Sequence, residues 1–180
     1  MLYRGNYKSE FYLRQISKLA KLPLKTAQNV LFNLEKNKVL KSTIDGKNKY
    51  FSLNLDNLQT KSYLLQSEIY KTDLFLENYP QFKIFLKSLN TNVPLILFGS
   101  FAKFKTDQDS DLDLFVVSEK EQKLPFHLIP YTVHQVNLSE DSFVKALREE
   151  ETLLKEIEEN HIILNNHSFY INIMWGYYGK

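Results

Sequence analysis

The chain has 180 residues, of which 43% are hydrophobic and 24% charged, enough apolar content for one or two small packed domains. No apolar run is long enough to cross a membrane as a helix, and the absence of cysteine excludes disulfides and thiolate metal sites. The net charge of +2 hides an asymmetry: residues 1–55 carry 11 Lys or Arg against 3 Asp or Glu, while residues 140–160 carry 8 acids against 3 bases. A basic front end favours an anionic partner, nucleic acid first. Met1 to Lys8 lacks the apolar core of a signal peptide, so a cytoplasmic protein without membrane contact is expected.

In chain order, Leu13, Ile16, Leu19, Ala20 and Leu22 repeat at helical spacing until Pro23 interrupts them. Leu24, Ala27, Val30, Leu31 and Leu34 then start a second helix, expected to end near Lys36. Val39 to Ile44 reads as a strand, Asp45-Gly46 as a hairpin signal and Lys49 to Leu53 as the return strand. Helix, helix and hairpin resemble a winged helix-turn-helix DNA-binding domain, expected over residues 1–55. That resemblance places the second helix in the major groove, with Lys25, Thr26, Gln28, Asn29 and Asn33 toward the bases. Lys41, Lys47, Asn48 and Lys49 would then lie on the wing beside phosphates.

Residues 56–79 read as a helical linker, and Pro80 to Leu89 as a further helix. A strand is expected from Val93, a turn with a short helix at Gly99-Ser100, and a second strand through Asp111-Leu112-Asp113. The third strand is expected over Phe126 to Leu138, and Ser139 opens a helix running toward Glu159. His134 and His161 read as structural, because the four histidines do not cluster at metal-ligand spacing.

The stretch from Leu95 to Val117 carries the chemistry. An apolar run ends in Gly99-Ser100, and a second begins with Asp111 and Asp113. Side chains alternate along a strand, so these two acids point the same way and can share hard cations such as Mg²⁺. Gly99 permits close backbone approach to a ligand, and Ser100 offers a hydroxyl and an N–H. Gly99-Ser100, Ala102 and then Ser110-Asp-Leu-Asp-Leu114 resemble the signature of the DNA polymerase β-like nucleotidyltransferases, in the form of their small prokaryotic members, and the tail from Leu153 to Tyr170 resembles the end of small archaeal ones. Two residues depart from that pattern: Lys103 replaces the usual Arg, and Phe104 stands where a second Gly is expected, which would crowd the turn. The resemblance implies an α+β fold over residues 80–180, a mixed sheet flanked by helices. It further implies Asp111 and Asp113 as catalytic metal ligands for Mg²⁺ (or Mn²⁺), with Gly99, Ser100 and Lys103 binding the phosphates of an NTP.

Family members use a third carboxylate on the third strand. Anchored on His134, its position falls on Thr132, and no Asp or Glu lies between Glu121 and Glu140. Thr132 cannot act as a carboxylate base, although His134 shares its face by alternation. Two expectations follow. One is a nucleotidyltransferase coupled to a DNA-binding winged helix. The other is a winged-helix regulator whose nucleotidyltransferase-like domain is catalytically impaired and senses a nucleotide or makes protein contacts. A homodimer is a further expectation, since dimeric winged helices read two-fold half-sites. So is a small toxin-like partner, by analogy with minimal nucleotidyltransferases.

Overall fold

A computed structural model describes residues 7–107 and 109–179. The chain divides into two compact units. One runs to Gln66 and takes in the stretch from Met174 onward; the other is Ser67–Ile173. This differs from the expected linker over 56–79. That segment is one helix, α3 (Leu58–Asn78), whose residues from Ser67 belong to the second unit. Its Phe75 is fully buried in that unit's core, so the helix does not merely connect.

The first unit contains β1 (Phe11–Tyr12), α1 (Leu13–Leu19), α2 (Leu24–Lys36), β2 (Leu40–Asp45) and β3 (Asn48–Leu53). Pro23 cannot continue α1 and instead opens α2 from the N-cap position. The three strands form an antiparallel sheet in the order β1-β3-β2. Asp45 pairs with Asn48 across the turn Gly46-Lys47, where Gly46 takes φ +57°, a conformation that costs glycine little. Ile16, Leu31 and Leu40 form the core beneath the helices, with Leu13, Leu34 and Phe51 packed against it.

The second unit is built on a mixed four-stranded sheet, β6-β5-β4-β7. Its strands are β4 (Leu95–Leu97), β5 (Leu112–Val117), β6 (Val133–Leu138) and β7 (Ile162–Asn165). β5 and β6 run parallel, and β4 is antiparallel to both β5 and β7. The expected α+β fold with a mixed sheet and helices is therefore present. Near-continuous apolar runs in β4 and β5 reflect burial on both faces. Leu95, Leu97, Leu112, Leu114, Val116, Ile162 and Leu164 pack on one side with Phe75 of α3 and with Phe82 and Phe85 of α4 (Phe82–Lys87). On the other side Phe115 meets Phe143 of α6 (Glu140–Arg148), with ring centroids 5.5 Å apart. Each such fully buried ring contributes on the order of 2 kcal/mol.

Two expectations are corrected here. The third strand does not begin at Phe126: Phe126–Leu128 is a 3₁₀ turn, and pairing with β5 starts at Val133. The helix opened by Ser139, whose Oγ accepts from the Ser142 N–H at 3.1 Å, does not continue to Glu159. It stops at Arg148, Glu150 turns left-handed at φ +54°, and α7 (Thr152–Glu159) starts afresh. Three successive glutamates, Glu149 to Glu151, separate the two helices. The chain then enters β7 and ends in α8 (His167–Tyr178).

Candidate active site

The short helix α5 (Gly99–Ala102) follows β4 directly. The Phe98 N–H donates to the Asp113 carbonyl at 3.1 Å, which fixes this turn against the start of β5. Gly99 takes φ +66°, and a methyl group on it would overlap the Asp113 carboxylate. Glycine is thus required for both backbone and space, and the acid lies directly against the turn. The spacer before β5 closes on itself: Ser110 Oγ donates to Asp107 Oδ1 at 2.7 Å and accepts from the Asp107 N–H at 2.8 Å.

Phe104 also adopts a positive φ, +54°, which explains why glycine is the residue expected there. The phenylalanine is held by its ring, stacked on Tyr79 at 6.3 Å and edge-on to Phe75 at 6.4 Å. Those contacts offset a left-handed backbone that costs a non-glycine residue about 1–2 kcal/mol.

Asp111 is exposed and Asp113 half-buried. By strand alternation both face the side of the sheet opposite Leu112 and Leu114. In the parallel register Asp113 lies opposite His134. The His134 ring reaches both acids, with Nε2 3.7 Å from Asp111 Oδ2 and Nδ1 3.8 Å from Asp113 Oδ1. His134 therefore belongs to the carboxylate face, contrary to its expected structural role. Thr132, whose carbonyl accepts from the Leu112 N–H at 2.8 Å, continues the same alternation and brings no carboxylate. Burial pushes the Asp113 carboxyl above its ordinary value; Glu156 and Asp111 add to this, while His134 and Lys103 oppose it.

Glu156 is the site neighbour that sequence reasoning missed. It comes from α7, and its Oε1 accepts a hydrogen bond from Lys103 Nζ at 2.7 Å. Lys103, expected as a free cation near the phosphates, is thus already paired. The only sequence signal for Glu156 is its position on an amphipathic helix, between the buried Leu154 and Ile157. Among the described residues, no group of three or more His, Asp or Glu side chains converges enough to hold a metal ion. The pair Asp111 and Asp113 still fits Mg²⁺, which is commonly held by one or two carboxylates while waters and phosphates complete its shell.

The second unit also buries a separate polar cluster. Glu68 Oε2 lies 2.8 Å from Lys71 Nζ and 3.1 Å from His161 Nε2. His161 Nδ1 donates to the Ile157 carbonyl at 2.6 Å, and its Nε2 stands 3.1 Å from Glu68 Oε2 and 3.2 Å from Lys71 Nζ. Burial, with Lys71 beside it, keeps the imidazole below its ordinary pKa. Burial alone would raise Glu68, but His161 and Lys71 hold it at about 2. His161 thus has a structural place, and it and Glu68 are closed to solvent while Lys71 is half-buried.

In the first unit, Ala27 and Leu31 turn inward from α2, while Lys25, Thr26, Gln28, Asn29 and Asn33 are exposed. Lys41, Lys47, Asn48 and Lys49 are exposed on the hairpin. Lys49 is partly engaged, 2.8 Å from Glu35. Lys25 donates to Gln28 at 3.4 Å.

Residues 80–166 match the family model described as a nucleotidyltransferase domain. The match spans Gly99, Ser100, Lys103, Asp111, Asp113, His134 and Glu156. No curated protein and no solved structure matches the chain.

Proposed function

We propose that this protein transfers a nucleoside monophosphate from an NTP to an acceptor hydroxyl, and that its first unit is a winged helix that binds DNA. The observation that carries the catalytic reading is the placement of Asp111 and Asp113 on one strand face against Gly99, within a matched nucleotidyltransferase domain. In the reaction, the acceptor oxygen forms a bond to the α-phosphorus as the bond to pyrophosphate breaks. Asp111 and Asp113 are the residues to hold Mg²⁺ or Mn²⁺. When bound, the ion supplies positive charge to the oxygens that gain charge as the phosphoryl group transfers. Gly99 lets the Asp113 carboxylate pack against the turn, Ser100 contributes its hydroxyl to the phosphates, and the Lys103 ammonium adds a cation.

The test is label transfer from radiolabelled ATP, GTP, CTP and UTP with Mg²⁺ or Mn²⁺. Asp111→Asn is expected to lower transfer at least about a hundredfold while leaving DNA binding intact. Transfer that survives in this variant overturns the assignment.

The DNA reading is supported by the excess of basic residues before Leu55 and by the polar outer face of α2. Lys47→Ala with Lys49→Ala is expected to weaken binding and to reduce the slope of affinity against salt by about 2. An unchanged slope removes the hairpin from the interface.

One observation favours a second reading: Thr132 stands where the third acid is expected. A DNA-binding regulator that holds a nucleotide without turning it over would show metal-dependent NTP binding, lost in Asp113→Asn, with no pyrophosphate released. The winged helix, a second copy of the chain and a toxin-like partner remain parts of the proposal, each open to direct binding measurement.

A further inference from the structure

We propose that Glu156 is a working residue of the nucleotide site: its carboxylate occupies the Lys103 ammonium when no nucleotide is bound and yields it to a polyphosphate. The inference rests on the reading of this face as a nucleotide site.

Three observations lead to it. Lys103 caps the C-terminal end of the Gly99–Ala102 turn, its N–H donating to the Gly99 carbonyl at 3.3 Å, so its position is tied to the residue that packs on Asp113. Its ammonium makes a 2.7 Å contact with Glu156, the length of a charge-assisted hydrogen bond. Glu156 comes from a different part of the chain, on a helix anchored by Leu154 and Ile157, so the helix carrying the carboxylate is fixed in place.

The pair is also openable. The two side chains keep 37% and 40% of their exposure, and water screens such a pair, so it opens readily. A single carboxylate is a weaker competitor for an ammonium than a chain of phosphates carrying several charges. Glu156 therefore stands in for a phosphate on Lys103. An incoming ligand must outbid one carboxylate for Lys103, which a triphosphate does and a monophosphate does poorly. The expected consequence is an affinity for polyphosphates that is held down by a residue of α7.

Binding of ATP, AMP and inorganic tripolyphosphate in Mg²⁺ buffer is measured by calorimetry for the full chain and for Glu156→Gln, Lys103→Met and the double variant. Removing the competitor is expected to tighten ATP and tripolyphosphate binding about threefold to fivefold and to tighten AMP binding less. In the Lys103→Met background the same Glu156→Gln change is expected to alter affinity less than about twofold. Thermal melts of all four proteins establish that each is folded. Glu156→Gln that leaves affinity unchanged or weakens it, or that tightens binding equally without Lys103, overturns the proposal while ATP binding by the unaltered chain upholds the nucleotide site. Failure of all four proteins to bind ATP or tripolyphosphate overturns both.

Discussion

Two carboxylate clusters in the same unit are made of nearly the same residue types and behave oppositely. Glu68, Lys71 and His161 join an acid, a lysine and a histidine, and so does the face formed by Asp111, Asp113, His134, Lys103 and Glu156. Side-chain exposure is 0% at Glu68 and 1% at His161, against 60% at His134 and 45% at Asp111. Buried, the Glu68 carboxylate and the His161 ring cannot exchange partners with water, so this pair is locked and its role is structural. At the surface the contacts lie at 3.7 and 3.8 Å, or in a screened ion pair, and a ligand can replace them. Identity of side chains does not mark a working site; the cost of opening it does.

The comparison breaks most sharply at Glu68. Glu68→Ala leaves the Lys71 ammonium beside a buried imidazole and is expected to cost about 3–5 kcal/mol in a denaturant titration. Acid should expose the same dependence. The folded Glu68 carboxyl sits at about 2, below its ordinary 4.5, so the unfolded chain takes up the proton more readily. Its stabilisation is complete above pH 4.5 and is lost as pH falls toward 2, and Glu68→Gln should flatten the melting temperature over that window. Gly99→Ala comes next, at about 2 kcal/mol, since it combines a positive φ with overlap on Asp113. It should also reduce metal-dependent nucleotide binding more than stability alone explains. The smallest effect belongs to the surface pair: Lys103→Met and Glu156→Gln are each expected to shift stability by less than about 1 kcal/mol. A larger loss would move that pair into the same class as Glu68.

The parts of the site legible in the sequence are those specified over a few neighbouring residues. Alternation places Asp111 and Asp113 on one face. A glycine ending an apolar run marks the turn, and Pro23 separates the first two helices. Glu156 escapes such reasoning because only the folded chain carries α7 to Lys103. Glu68 and His161 escape for the same reason, being 93 positions apart. His134 could be placed on the face of Thr132 by alternation, yet its contact with both aspartates depends on the parallel register of β5 and β6. Phe104 is the instructive mismatch: the expectation of glycine was sound about the backbone, which is left-handed. What it could not include was a pair of rings, Tyr79 and Phe75, that hold a phenylalanine there.

The position of β4 has a consequence for how the chain is made. This three-residue strand lies between β5, which follows it closely, and β7, which is reached only after α6 and α7. A nascent chain can pair Leu95–Leu97 on one side early, but the other edge stays bare until Ile162–Asn165 has been synthesised. Through that interval the unit presents an open, wholly apolar strand edge, a template for pairing with other chains. Pairing of that edge with another chain then competes with folding until β7 arrives.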